Sequence, residues 1–198
     1  LNKTVDSVRI PANVLKQLAD ASNDSGNDTE GLEILLSGGT AVEFDAEALA
    51  GILAESGNRA VTVSVKACRN AGGLTAAQVA TVGNRAAYDV TVSVNGRKIS
   101  GIGGRIRITV PYTLKNGERA EGLAVCYVDA DGNREYCETG YDSRKKQISW
   151  WTDHLSVYMI DYEEPAAAAE ATTEPMETAV ETQTAETVQE MVRETEES

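Results

Sequence analysis

Residues 123–160 read LAVCYVDADGNREYCETGYDSRKKQISWWTDHLSVYMI. Apolar β-branched and aromatic residues alternate there with polar ones, and the pattern breaks at Asp131-Gly132 and at Asp142-Ser143. A period of two marks strands with one buried face, and Asp-Gly supplies the backbone freedom that a tight hairpin turn requires. The stretch therefore predicts two successive hairpins. Residues 148–160 close the second as one long strand, against which the preceding chain packs.

Working back from it, residues 5–10 alternate as a short strand, and Pro11 stands where a proline opens a helix over 12–19. Residues 22–31, rich in Ser, Asn, Asp and Gly, read as a surface loop. Residues 32–36 and 41–44 form a hairpin turned at Gly38-Gly39, and Asp45 caps a second helix over 46–54. A strand over 61–67 precedes a short helix capped by Thr75, and residues 88–94 turn back at Asn95-Gly96. Gly101, Gly103 and Gly104 break the ladder before a last strand, 105–111, ended by its proline.

Two pieces repeat. Val8, Ile10, Ala12, Leu15 and Leu18 correspond to Val42, Phe44, Ala46, Leu49 and Ile52 at a constant offset. Two copies are too few for a solenoid, so residues 8–19 and 42–53 read as a duplicated strand–helix unit inside one domain. The expected fold class is α+β, mainly antiparallel β: a β-sandwich-like body, residues 1–162, with two or three short helices from the N-terminal half. From residue 163 onward Ala, Thr, Glu and Pro dominate without an aromatic residue, which predicts a disordered linker or tail over 163–198.

Composition narrows the function. A chain of 198 residues with 41% hydrophobic content supports one core. The net charge of −13 is local: residues 161–198 hold twelve acids against Arg193 alone. The body is thus near neutral and has no basic stripe, which argues against nucleic acid as a partner. No apolar run reaches the roughly 20 residues of a membrane helix. The chain begins at Leu1 without a leader, as a fragment or processed form would.

Residues able to carry chemistry are few. His154 is the single histidine, and no convergent pair of carboxylates is visible, so a conventional enzyme is not expected and no cofactor is called for. Asp129-Ala-Asp131-Gly-Asn133 faintly resembles the start of a calcium loop, but Gly140 stands where the bidentate Glu belongs. A plain turn is the better reading. Cys68, Cys126 and Cys137 lack metal-type spacing. With a two-residue turn at Asp131-Gly132, Cys126 and Cys137 face each other, either as a cross-strand disulfide or as two small core residues. Trp150 and Trp151, adjacent in a strand, point to opposite faces, one toward the core and one available to stack on a sugar or touch a protein.

Taken in order, VRIPANVLKQLADA, VEFDAEALAGILAES, YDVTVSVNGRKISGIGG, RITVPYTL, VCYVDADGNREY and TDHLSVYMI resemble a surface-protein module of Gram-positive bacteria, often found beside S-layer homology domains. The resemblance spans roughly residues 5–160. It implies an extracellular or cell-surface location and a structural or adhesion role, with neighbouring surface domains, cell-wall polymer or host protein as partners. The closing segment also resembles the last strand of ZU5 and GAIN-type domains, whose His-Leu/Phe-Ser/Thr tripeptide can cleave itself. Carried over, His154 would deprotonate Ser156, which would attack the Leu155 carbonyl and break the chain between Leu155 and Ser156. On alternation alone His154 and Ser156 would share one face of the strand.

Overall fold

A computed structural model of the chain describes residues 6–24, 32–68, 73–99 and 101–165; the expected tail beyond Pro165 lies outside the described residues. The elements, in order, are β1 (Ser7–Ile10), α1 (Ala12–Asp24), β2 (Leu32–Leu35), β3 (Ala41–Phe44), α2 (Ala46–Ser56), β4 (Val61–Ala67), α3 (Ala76–Val82), β5 (Ala87–Val94), β6 (Arg97–Lys98), β7 (Ile106–Pro111), β8 (Leu123–Val128), β9 (Arg134–Cys137), β10 (Thr139–Asp142), β11 (Gln147–Thr152) and β12 (Val157–Tyr162). The body is α+β with mainly antiparallel strands in two packed sheets.

Sheet A runs β1-β4-β5-β12-β8-β9, with β6 also on β5, and sheet B runs β10-β11-β7-β3-β2. The alternating residues fill the space between them. Val61, Val63, Val90, Val92, Val125, Tyr158 and Ile160 come from sheet A; Val42, Phe44, Ile106, Ile108, Ile148 and Trp150 come from sheet B. Burying such side chains contributes about 1.5–3 kcal/mol each, before the entropy cost of ordering them. β1, β4, β5 and β12 are successive antiparallel neighbours. β1 therefore begins and β12 ends at the same end of sheet A.

The helices divide their work. Asp45 caps α2 by accepting from the Ala48 amide at 2.7 Å, and its other carboxylate oxygen accepts from the Arg105 amide at 2.7 Å, tying α2 to the start of β7. α1 packs against α2, and Leu15, Leu49 and Ile52 join the core between the sheets. The duplicated unit thus serves both sheets, with β1 in sheet A and β3 in sheet B. α2 also lies tight on the glycine bend: a Cβ on Gly51 would sit 2.1 Å from the carbonyl oxygen of Ile102.

α3 covers the outer face of sheet A. Val82 packs with Ala87, Cys126, Val128 and Met159 in a second, smaller core. Its start is a capping box, Thr75 with Gln78. Gln78 Nε2 donates to the Val128 carbonyl at 3.0 Å, and the Thr75 and Thr81 hydroxyls donate to the carbonyls of Ala130 and Gly132. β12 is covered on both faces, so Val157 through Asp161 are all buried.

Three expectations change. Residues 148–160 are two strands, not one: β11 lies in sheet B, β12 in sheet A, and residues 153–156 cross between them. The two predicted hairpins likewise fall in different sheets, β8–β9 in A and β10–β11 in B, with Glu138 between them. The first helix, expected over 12–19, runs to Asp24. Just past β12, Glu163 donates its amide to the Gly122 carbonyl at 2.9 Å. Among the described residues no helix is long and apolar enough to cross a membrane.

Candidate functional site

The crossing at 153–156 holds the tripeptide singled out by sequence, and a closed hydrogen-bond triangle fixes it. Tyr158 donates its phenolic proton to the His154 carbonyl at 2.6 Å. Having spent that proton, it accepts from the Thr152 hydroxyl at 2.7 Å, and Thr152 Oγ1 accepts the His154 amide at 3.0 Å. Burial pushes the Tyr158 phenol well above its ordinary range, so it stays a donor at neutral pH.

The side chains of the tripeptide diverge. The His154 ring is half exposed, packs on Tyr127 at a centroid distance of 5.2 Å, and has Nε2 3.4 Å from Asp153 Oδ1. No hydrogen bond joins it to Ser156, whose carbonyl accepts the Val90 amide at 2.8 Å. Leu155 packs against the main core. No residue from 153 to 156 has positive φ. The crossing breaks the strand alternation that was to put His154 and Ser156 on one face.

The tryptophans separate as adjacent strand residues must. Trp150, 1% exposed, lies in the core against Tyr158 at 5.4 Å, its Nε1 buried without a hydrogen-bond partner among the described residues, so it is no contact residue. Trp151 faces outward and carries the Arg105 guanidinium over its ring at 5.3 Å. Arg105 in turn pairs with Glu138 at 3.0 Å.

The cysteines do not face each other. Gly132 donates to the Asp129 carbonyl at 3.1 Å and takes φ +85°, which makes a type I turn followed by a left-handed glycine, a three-residue loop. The extra residue shifts the register by one. Cys126 stands opposite Tyr136 and Cys137 opposite Val125, and both thiols are free. Burial, with the Asp161 charge behind it, pushes the Cys126 thiol up to about 11, and burial also raises that of Cys137. Neither is an activated nucleophile. Asp129, the first residue of the calcium-like run, has its carboxylate taken up by the turn: it accepts from the Asp131 and Asn133 amides and from Asn133 Nδ2, bonds that lower its pKa.

The outer face of sheet B holds what the sequence did not reveal. A groove of about 350 Å³ runs along it. Glu33 and Glu43 are cross-strand partners, and Glu43 is the partner of Arg107, which in turn faces Trp151. This is the carboxylate pair that sequence order concealed. Arg107 reaches Ser149 Oγ at 3.3 Å and Glu43 at 3.8 Å, both long for strong bonds. A smaller cleft of about 260 Å³, lined by Arg105, Tyr127, Cys137, Trp151 and His154, lies beside it. No family model, curated protein or solved structure matches the chain.

Proposed function

We propose that this chain is a non-catalytic structural or adhesion module of a larger bacterial cell-surface or secreted protein. The observation that carries the non-catalytic part is the Thr152–Tyr158–His154 triangle. Self-cleavage needs a base at the Ser156 hydroxyl and a strained bond at Leu155. Here the His154 backbone is tied to Tyr158 and Thr152, and its ring is turned to Tyr127 and Asp153.

The end of β12 and the start of β1 point to the same end of sheet A, three strand spacings or about 14 Å apart across the sheet and offset by seven residues or about 23 Å along it. Flanking chain leaves from one side of the body, which suits a module that hangs from its neighbours and presents a face, more than one standing in line between them. The surface location rests on the resemblance to Gram-positive surface modules.

Two measurements test the reading. Incubated at neutral pH and weighed, the purified chain keeps a single intact mass; a fragment beginning at Ser156 would make it an autoproteolytic domain. In bacteria expressing the full-length protein, a membrane-impermeant amine label reacts with the body on intact cells. Labelling only after lysis overturns the surface assignment.

A further inference from the structure

We propose that the groove on the outer face of sheet B binds a neutral oligosaccharide, the ligand through which an adhesion module of this kind would act. The inference deepens the reading above and rests on it in one respect: the glycan is to be held and released unchanged.

Gly140 is the first sign. It stands in β10, an edge strand, on the outward side of the sheet. Its φ is not positive, and a Cβ placed there would meet only Ser149 Oγ, at an ordinary 3.5 Å. Neither backbone conformation nor crowding requires a glycine here, and glycine weakens a strand. What its missing side chain provides is depth: the wall of the groove is open at this point. A strand glycine of this kind marks a close approach by something outside the sheet.

The second sign is the state of the polar groups. Glu33, Thr109 and Lys145 line the groove. Among the described residues, none makes a hydrogen bond through its side chain. Arg107 makes only the two long contacts described above. Donors and acceptors therefore alternate across the face without saturating one another. Three acids, Glu33, Glu43 and Asp142, stand against Arg107 and Lys145, which disfavours a phosphate or a polycation. A hydroxyl-rich neutral ligand, both donor and acceptor at every position, matches such a surface, and planar carboxylate and guanidinium groups each take two neighbouring hydroxyls.

Trp151 stands at the end of the same face, opposite Arg107. Its ring lines the neighbouring cleft and carries the Arg105 guanidinium at 5.3 Å, so it bounds the groove and serves as a fluorescent reporter beside it. The lining runs across the sheet from β10 to β2, four strand spacings or about 19 Å, room for a short oligosaccharide, and the volume of about 350 Å³ lies within the range of small-ligand sites.

The test uses the whole 198-residue chain and four probes, cellotetraose, xylotetraose, mannotetraose and chitotetraose, titrated by calorimetry with tryptophan fluorescence alongside. At least one probe is expected to bind saturably with Kd below about 1 mM. Gly140→Tyr, which fills the groove, and Arg107→Ala, which removes its central donor, each weaken that binding at least about tenfold. Neither lowers the thermal midpoint, since both lie on the exposed face. Failure of all four probes to saturate overturns the proposal, as does unchanged affinity in both variants; the non-catalytic reading survives either result. Binding accompanied by shortened sugars in the product mixture keeps the groove and overturns the non-catalytic reading instead.

Discussion

Tyr158 and His154 meet where the chain passes from one sheet to the other, phenol to carbonyl at 2.6 Å. Because Thr152 completes the triangle, both strands flanking the crossing are held by one hydroxyl. Tyr158→Phe keeps the ring, which packs on Trp150 and Tyr127, and removes only the oxygen. It leaves the buried Thr152 hydroxyl and the His154 carbonyl unmatched, at a cost of about 1–3 kcal/mol. Denaturant unfolding should show that loss as a lower midpoint with an unchanged slope, and amide exchange at His154 should quicken.

Gly51 in α2 and Gly101 in the bend that leads into β7 make a matched pair. Alanine is favoured over glycine inside a helix by about 1 kcal/mol, so propensity alone predicts that Gly51→Ala stabilises. The Ile102 carbonyl oxygen, 2.1 Å from where the methyl would go, decides otherwise, because backbone must move on both sides. A loss of about 1–3 kcal/mol is expected. Gly101 has open space around it and no positive φ, so Gly101→Ala should stay within about 0.5 kcal/mol of the parent. Thermal melts of the two variants side by side give the check; a stable Gly51→Ala would refute the close packing of α2 on the bend.

Local chemistry was legible. The Asp45 and Thr75 caps, the Asn95-Gly96 turn with both residues at positive φ, and the opposite faces of Trp150 and Trp151 all follow from residue type and period. What alternation cannot encode is which sheet a strand joins. It assigns faces, so β11 and β12 read as one strand, and nothing in Asp153-His154-Leu155-Ser156 announces a change of layer. Register was lost for a similar reason. Asp-Gly fits a two-residue or a three-residue loop, and the choice here followed from Gly132 taking the left-handed position, where Thr81 of α3 bonds its carbonyl. The same one-residue uncertainty hid the pairing of Glu33 with Glu43 across the Gly38-Gly39 hairpin. The groove, which takes side chains from β2, β3, β7, β10 and β11, depends on long-range pairing that no local pattern reports.

Asp161 shows where an ion pair carries stability and where it does not. It is 3% exposed and pairs with Arg85 at 2.7 Å and Arg134 at 3.1 Å, joining the segment after α3 to β9. Asp161→Asn removes the buried charge. The arginines are partly exposed, so they relax toward water and the loss stays near 1–3 kcal/mol, below that of a fully buried pair. The Lys98–Asp89 pair is open to solvent at 3.4 Å, so Asp89→Asn should change stability by less than about 1 kcal/mol. Chemical denaturation of both variants at low and high salt separates the cases: salt should erase the Asp89 effect and leave most of that at Asp161.

Three buried acids of the neutral type make the fold labile in alkali. Cys126 is raised from 9.0 to about 11 by burial and then by the Asp161 charge. Tyr158 is raised by burial, and Tyr112 by burial and by its hydrogen bond to Glu118. Each keeps its proton in the folded state at a pH where the unfolded chain has lost it. Between the unfolded and folded values the native state binds more protons, so stability falls as pH rises. The contribution is complete below about pH 9 and the Cys126 share is gone above about 11, an amount near 2–3 kcal/mol at 1.4 kcal/mol per unit. The tyrosines extend the decline upward from their ordinary value of 10.0. Denaturant midpoints should be level from pH 7 to 9 and drop steadily to pH 11. In Cys126→Ala the early part of that drop should flatten while the later part remains, and an unaltered profile would show that the thiol ionises equally in both states.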